Sequence, residues 1–192
     1  MSIKTICTTL LAMLMSASLV QAAEHSAARI DISVKNGKVE FKNPEDKAVR
    51  VYYAHWVKDE DQKVKRVCAE KKITDGEWVQ FSYTVTPTED GPLTMSIKGR
   101  YSKTLKNWVY YDDVTVEGAA KQVVNSSFEE TGGWRFPKGQ QVLDESLAHT
   151  GKGAVLVWHD KPAYQTIEVK AGQPVTITAW VKFCKQEDKE PK

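Results

Sequence analysis

Aromatic residues alternate with polar or small ones along two strand-like segments, residues 51–58 and 175–182. Because residues two apart on a strand share a face, Tyr52 and Trp56 lie together on the first segment, and Trp180 lies on the polar face of the second. Sugar rings present apolar C–H faces bordered by hydroxyls, so a surface that binds them needs flat aromatic rings beside hydrogen-bonding side chains. These three residues predict a carbohydrate-binding platform. The alternative is that they fill a core or lie beneath loops.

A second group of aromatic residues lies close to predicted loops and strand ends. A ligand bound at the loops would use this group, which therefore competes with the first. Its members are Tyr101, Trp108, Tyr110, Trp158 and Tyr164.

Known catalytic signatures are missing from the sequence. It has no P-loop and no G-x-G-x-x-G, G-x-S-x-G or H-E-x-x-H pattern, and its four histidines have no metal-binding spacing. A glycosidase needs two placed carboxylates, whereas most acidic residues here lie in charged turns such as KDEDQK. We therefore predict a binding protein and not an enzyme.

The first 22 residues have the composition of a secretory signal peptide. They carry one charge, Lys4, an apolar run and small residues at the cleavage spacing. The chain has 27 Lys and Arg against 25 Asp and Glu, and the two signs alternate, so nothing indicates nucleic acid or an anionic membrane as a partner. We predict a secreted or periplasmic protein with no membrane span after cleavage.

Cys68 and Cys184 remain once residues 1–22 are removed, in a chain expected in an oxidising compartment. They predict one disulfide that closes a long loop. Two separate buried thiols are the alternative.

Short alternating segments separated by turn residues continue from residue 28, with no helical period. The alternation of residues 30–34 and 39–41 about Asn36-Gly37 predicts a hairpin with a type I′ turn. The chain is therefore predicted to be all-β, a sandwich or jelly roll. Further strands are predicted at 49–58, 63–73, 77–86, 93–101 and 107–117, and the rhythm resumes after residue 121.

Three motifs in the second half of the chain occur in the order VNSSFEETGGW, AHTGKGAVLV and YQTIEVKAGQPVTITAWVK. They resemble the first half of the jelly-roll carbohydrate-binding modules of families 4, 9 and 22, which are galactose-binding-domain-like sandwiches. Thr150 stands where those modules usually have Ser, and Val175 stands where an aromatic residue is common. The earlier segments DGEWVQFSYTVTP and NWVYYDDVTVEG resemble the second half of the same pattern, so the halves are in reversed order.

The resemblance implies one circularly permuted sandwich over residues 28–183, with late strands in 28–118 and early strands in 121–183, or else two tandem modules with the second truncated. A half-sandwich would expose open strand edges, so we favour the single permuted domain, followed by a charged tail at 184–192. In that order the segments 51–58 and 175–182 are neighbours, with Trp56 near Trp180. The resemblance also assigns Trp78 and Trp134 to the core.

Alternation places Asp112 on the face of the two valines that follow it, so this carboxylate is predicted to point inward, where it needs a partner or a cation. The resembling modules often hold a structural calcium ion. The resemblance therefore implies Ca²⁺ bound by Glu129, Asp112 and the main chain around Lys152, with Glu130 and Asp113 as alternates. A hydrogen-bonded carboxylate at a sheet end is the other interpretation.

Together these observations predict a secreted, non-catalytic jelly roll that binds a polysaccharide or glycan through exposed aromatic side chains, with a structural calcium. The predicted ligand residues are Tyr52, Trp56, Trp180, Trp158 and Tyr164. The alternative is an envelope, adhesion or enzyme-accessory protein that uses the sandwich to bind another protein.

Overall fold

The computed structural model describes residues 26–54, 65–74, 76–104 and 106–184. The predicted signal peptide, Trp56 and residues 185–192 of the predicted tail lie outside the described residues. The strands are β1 (Ser26–Val34), β2 (Val39–Phe41), β3 (Val49–Tyr53), β4 (Arg66–Ile73), β5 (Val79–Pro87), β6 (Gly91–Gly99), β7 (Val109–Glu117), β8 (Gln141–Leu143), β9 (Gly153–Val157), β10 (Ala163–Val169) and β11 (Val175–Phe183).

Two antiparallel sheets pack as a sandwich. Sheet A has the strand order β10-β6-β1-β4-β3, and sheet B has the order β2-β5-β11-β7-β9-β8. The predicted all-β sandwich is confirmed. Within the described ranges there is no helix of the length and apolar character needed to cross a membrane.

Apolar and polar residues alternate along the strands, so each sheet has one apolar face. The two apolar faces pack against each other and form a shared core. Ile30 and Ile32 on β1, and Ile177 and Val181 on β11, are fully buried in this core. Branched apolar side chains suit a pleated surface, and their burial supplies about 25 cal/mol for each Å² of apolar surface removed from water. The residues between them point to the other side of each sheet, which we call its outer face.

The predicted hairpin about Asn36-Gly37 is wrong. β1 pairs with β4 and β6 in sheet A, whereas β2 pairs with β5 in sheet B, so residues 35–38 carry the chain from one sheet to the other. Gly37 has a φ of 64° but Asn36 keeps a negative φ. A type I′ turn needs a positive φ at both residues, so this turn is of a different kind.

Strands from both parts of the chain alternate in the two sheets. β10 pairs with β6 in sheet A, and β11 lies between β5 and β7 in sheet B. The segments 28–118 and 121–183 therefore share one core. The permuted order relative to the resembling modules stays a prediction.

The predicted pairing of the segments 51–58 and 175–182 as neighbouring strands is wrong for residues 51–54, and the predicted contact of Trp56 with Trp180 lies outside the described residues. β3 is an edge strand of sheet A beside β4, whereas β11 lies in the middle of sheet B. The two similar sequences therefore belong to strands of different sheets.

The hydroxyl group of Tyr111, on β7, joins the two sheets. Its ring is fully buried in the core, and its oxygen lies 3.0 Å from the carbonyl oxygen of Arg29 and 2.8 Å from that of Lys98. Arg29 and Lys98 are on β1 and β6 of sheet A, directly opposite each other. A hydroxyl has a single proton, so the two carbonyls share one donor.

Replacing Tyr111 by Phe removes that donor and leaves the two carbonyls without it. We expect the free energy of unfolding, measured by urea denaturation, to fall by about 1–3 kcal/mol. Tyr83→Phe is the matched control, because Tyr83 is also buried but its hydroxyl reaches the carbonyl of Ile30 only at 3.5 Å. The free energy of unfolding should fall less in Tyr83→Phe, by about 0.5 kcal/mol. Equal losses in the two variants would contradict the bridging role of Tyr111.

Candidate functional site

One row of side chains crosses the outer face of sheet A from edge to edge. Directly opposed residues of antiparallel strands point to the same face. Neighbouring strands lie about 4.8 Å apart, so four intervals separate the ends of the row by about 19 Å. In register order the row is Tyr52, Cys68, Asp31, Ser96 and Tyr164. The structure thus brings together two tyrosines that the sequence placed in separate groups.

The guanidinium of Arg29 joins the acidic residues beside this row. Its Nε lies 2.6 Å from Oδ1 of Asp31, and its Nη1 lies 3.5 Å from Oε1 of Glu70. Nζ of Lys98 lies 2.7 Å from Oδ2 of Asp31. Arg29, Asp31 and Glu70 are only 7%, 3% and 8% exposed, and buried charges are tolerated when they are paired. We call these four side chains the Arg29 network.

The pKa values of the network agree with this pairing. Burial acts against both charged forms, but the hydrogen bond and the charge of Asp31 outweigh it and raise the pKa of Arg29 above its usual value. For Asp31, burial is outweighed by the hydrogen bond from Arg29 and the charge of Lys98, which keep the pKa below its usual value. Both groups are therefore charged at neutral pH.

Tyr52 is held by the same network at one end of the row. Its hydroxyl donates to Oε1 of Glu70 at 2.8 Å, and the guanidinium groups of Arg29 and Arg50 lie 5.8 and 5.0 Å from its ring centroid. Burial and then the bond to Glu70 raise the pKa of the hydroxyl well above its usual value, so it stays protonated. The ring is half-buried and its position is fixed.

Cavities open along this face. One of about 170 Å³ is lined by Asp31, Ser33, Arg66, Thr94, Ser96, Lys98, Arg135 and Tyr164. Another of about 510 Å³ is lined by Arg29, Asp31, Arg66, Lys98, Tyr101 and His159. Tyr101 is 55% exposed and meets His159 edge-to-face, with ring centroids 5.0 Å apart. The face therefore combines aromatic rings with a polar, charged floor.

Trp180 lies on the other side of the sandwich, on the outer face of sheet B. Its indole stacks on the imidazole of His149, with centroids 3.9 Å apart, and Trp78 meets the same imidazole edge-on at 5.7 Å. Tyr52 and Trp180 therefore do not form one platform, and that part of the prediction is wrong. Alternation assigns a residue to a face of its strand but does not assign the strand to a sheet. Trp134 is buried in the core as expected, whereas Trp78 is half-buried on sheet B.

The structure divides the second aromatic group. Tyr101 and Tyr164 reach the outer face of sheet A. Trp108 and Tyr110 are buried in an apolar cluster on the outer face of sheet B, and Trp158 packs half-buried against that cluster. Trp108 and Tyr110 therefore present no free ring for a ligand, whereas Trp158 is partly exposed and its role in ligand binding stays a prediction.

Cys68 and Cys184 do not form the predicted disulfide. Cys68 lies in the row on sheet A, where Nη2 of Arg29 is 3.1 Å from its sulfur. Cys184 is buried in the apolar cluster of sheet B. The two thiols are buried on different sheets, which is the alternative interpretation. Burial raises the pKa of Cys68 to about 12, so its thiol stays protonated.

The prediction that Asp112 points into the core is wrong. β7 has one extra residue relative to β11 at this point, a β-bulge in which Asp113 has a φ of 46°. The bulge shifts the alternation by one residue, so Asp112 shares the outer face with Trp180. Its Oδ2 accepts the N–H groups of His149 and Thr150 at 2.8 and 3.1 Å, and its Oδ1 accepts the N–H of Asp113 at 2.7 Å. It is fully buried beneath the turn 149–153.

Glu129 holds the same turn from its other end. Oε1 of Glu129 accepts the N–H groups of Lys152 and Gly153, both at 2.8 Å, and the carbonyl of Lys152 accepts the N–H of Asp144 at 2.7 Å. Main-chain donors thus already contact both carboxylates and the carbonyl that the resemblance assigns to calcium. These hydrogen bonds compensate the two carboxylates without an ion, and the calcium ion stays a prediction.

Of the two alternates, Asp113 is engaged through its carboxylate. Oδ2 of Asp113 lies 2.7 Å from Nδ1 of His149, and the hydroxyl of Thr150 donates to Oδ1 of Asp113 at 2.9 Å. The hydrogen bonds of Glu130 involve its main chain, whose carbonyl accepts the side-chain amides of Asn125 and Gln141. Its exposed side chain has no hydrogen bond among the described residues.

Sequence reasoning missed the charged residues of sheet A. The signal for two of them was present, because Arg29 and Asp31 flank Ile30 and so share the polar face of β1. The order of the strands in sheet A brings three further residues beside them, and this order is not visible in the sequence. These residues are Arg66, Ser96 and Lys98.

Comparison of the chain with protein-family models, with curated proteins and with solved structures gives no match. The resemblance to carbohydrate-binding modules therefore rests on the motifs in the sequence. Function has to be inferred from the geometry of this chain.

Burial raises the pKa of Asp112 to about 6, although three N–H donors act in the opposite direction. The folded protein then binds this proton more tightly than the unfolded chain, so the contribution to stability is fully present below about pH 4 and is lost as the pH rises through about 6. We expect the stability advantage of the wild type over Asp112→Asn, from urea denaturation, to be larger at about pH 4.5 than at about pH 7.5. Asp90→Asn is the control. The pKa of Asp90 is lowered, so this group is charged in the folded protein at both pH values, and the difference in stability from the wild type should be the same at both. A pH-independent difference for Asp112→Asn would contradict the raised pKa.

Because main-chain N–H groups already meet the carboxylates of Asp112 and Glu129, we expect calcium to add little stability. The Tm from calorimetry in excess calcium and in excess EGTA should agree within about 1 °C. A rise of several degrees with calcium that disappears in Glu129→Gln would show that the site implied by the resemblance forms.

Proposed function

We propose that the protein binds a carbohydrate chain on the outer face of sheet A and does not catalyse a reaction on it. The observation that carries this proposal is the row with Tyr52 at one edge and Tyr164 at the other, with hydrogen-bonding groups between them. Aromatic rings pack against the C–H faces of sugars, and charged or hydroxyl side chains bond their hydroxyl groups. A row about 19 Å long suits an oligosaccharide better than a single sugar.

The Arg29 network supports this proposal because it arranges the floor before a ligand arrives. Arg29, Asp31, Glu70 and Lys98 are locked by their own ion pairs, and Tyr52 is locked by Glu70. Side chains that are already ordered lose little entropy on binding, so more of the contact energy is available for affinity.

A polar floor also favours a glycan over a protein partner. Stable protein interfaces have an apolar centre, and such a centre is visible as an exposed apolar patch on the free protein. In the described part of the chain, the large hydrophobic residues that are exposed are Tyr101, Val124 and Leu143, which lie in the β6–β7 loop, in the β7–β8 loop and on β8. This distribution speaks against the adhesion or accessory alternative.

The outer face of sheet B is the competing location for a sugar. It has a ladder of hydroxyl pairs, Ser82 with Thr178 and Thr84 with Thr176, beside a groove of about 460 Å³. His149 stacks on one face of the Trp180 ring. We propose sheet A as the location because its row has two tyrosines, with the ordered polar groups of the Arg29 network between them.

Affinity gel electrophoresis on a panel of soluble polysaccharides, selected with a glycan array, tests the proposal. We expect Tyr52→Ala and Tyr164→Ala each to weaken binding by about 5- to 30-fold, because each removes one stacking surface. Trp180→Ala is the control for the other face and should retain the affinity of the wild type.

Two results would contradict this assignment. If only Trp180→Ala reduced retardation, the ligand would lie on sheet B. If no polysaccharide retarded the wild type, carbohydrate binding itself would be wrong. Circular dichroism of each variant separates a lost contact from a lost fold.

A further inference from the structure

The smaller cavity on sheet A has more positive charge than its own acidic group can balance. Arg66, Lys98 and Arg135 line it, and Asp31 is the acidic residue in its lining. Lys98 already pairs with Asp31, which is also bonded to Arg29 outside the cavity. The positive charges of Arg66 and Arg135 are therefore not balanced by an acidic residue in the lining of this cavity.

Arg66 and Arg135 have no acidic partner among the described residues. Nε of Arg66 is buried and has no hydrogen-bond acceptor in the same part of the chain. Arg135 is exposed, and its guanidinium lies 5.5 Å from the ring centroid of Tyr164. The two main chains pair at this point, since Arg135 and Tyr164 exchange N–H to carbonyl bonds of 2.9 Å. Arg135 thus extends the row beyond Tyr164.

Ser96 gives a second and independent indication of a ligand. It is 7% exposed, it lies in the row between Asp31 and Tyr164, and it lines the same cavity. Its hydroxyl has no hydrogen-bond partner in the described structure. A buried hydroxyl without a hydrogen-bond partner costs free energy, so the hydroxyl of Ser96 is free to donate to an acceptor bound in the cavity.

We infer that this cavity binds the oxyanion of an acidic saccharide, either the carboxylate of a uronic acid or a sulfate ester. The inference rests on the proposed carbohydrate binding and adds the chemical class of the sugar. Guanidinium groups match oxyanions with paired, charge-assisted hydrogen bonds, and the hydroxyl of Ser96 supplies a further donor. Tyr164 lies beside the cavity, where it can stack on the ring that carries the anionic group. The whole chain has a formal net charge of only +2, so the attraction is local to this cavity.

Calorimetric titration of the purified protein compares three ligands: an oligogalacturonate, a neutral oligogalactan of the same length, and dextran sulfate. We expect the oligogalacturonate to bind at least about tenfold more tightly than the neutral chain, with an affinity that falls as salt rises. Arg66→Gln and Arg135→Gln should each lower the affinity for the acidic ligand by about tenfold and leave that for the neutral ligand unchanged. Arg135 is exposed, so its variant keeps the test valid if Arg66→Gln is unstable.

Lys121→Gln is the matched control, because Lys121 is exposed and does not line the cavity. An equal loss in this variant would indicate general charge attraction and would overturn the site. Tight binding of dextran sulfate that depends on Arg66 would identify a sulfate ester as the oxyanion. Equal affinity for the acidic and neutral chains would overturn the oxyanion inference and leave carbohydrate binding intact, whereas binding of none of the three would overturn both.

Discussion

The double pairing of Arg29 is the interaction on which the outer face of sheet A depends. A single guanidinium meets Asp31 and Glu70, two carboxylates on neighbouring strands that would otherwise repel each other in a buried setting. Glu70 in turn accepts the hydroxyl of Tyr52, so the edge of the face is positioned by the pair at its centre. The face can therefore be polar, buried and rigid at once.

The same residue ties this face to the core through its backbone. The carbonyl oxygen of Arg29 is within hydrogen-bond distance of the hydroxyl of Tyr111, which reaches across from sheet B. Lys98, opposite Arg29 on β6, receives the other contact of that hydroxyl and pairs through its side chain with Asp31. Inter-sheet packing and the order of the outer face are consequently coupled at one pair of residues on β1 and β6.

Local alternation was enough to predict the strands and most of their faces. It failed where a local signal has two structural solutions: Asn36-Gly37 suits a hairpin, but here it carries the chain between sheets. It failed again at Asp112, because one extra residue in a bulge moves a carboxylate to the opposite face. The row on sheet A could not be predicted from the sequence. Tyr52 and Tyr164 lie at opposite ends of a row that crosses five strands, and the order of those strands is set by tertiary packing.

The two sheets compensate their buried carboxylates in different ways, and this difference determines which face is open. On sheet B, the buried Asp112 accepts main-chain N–H groups of the turn 149–153, and so does the half-buried Glu129 of the loop before β8, so this turn lies over the sheet. That turn brings His149 onto Trp180 and closes part of the face. On sheet A, compensation comes from side chains within the sheet itself, so no turn is needed above Asp31. Cavities remain there, and Arg66 and Arg135 line one of them without an acidic partner among the described residues.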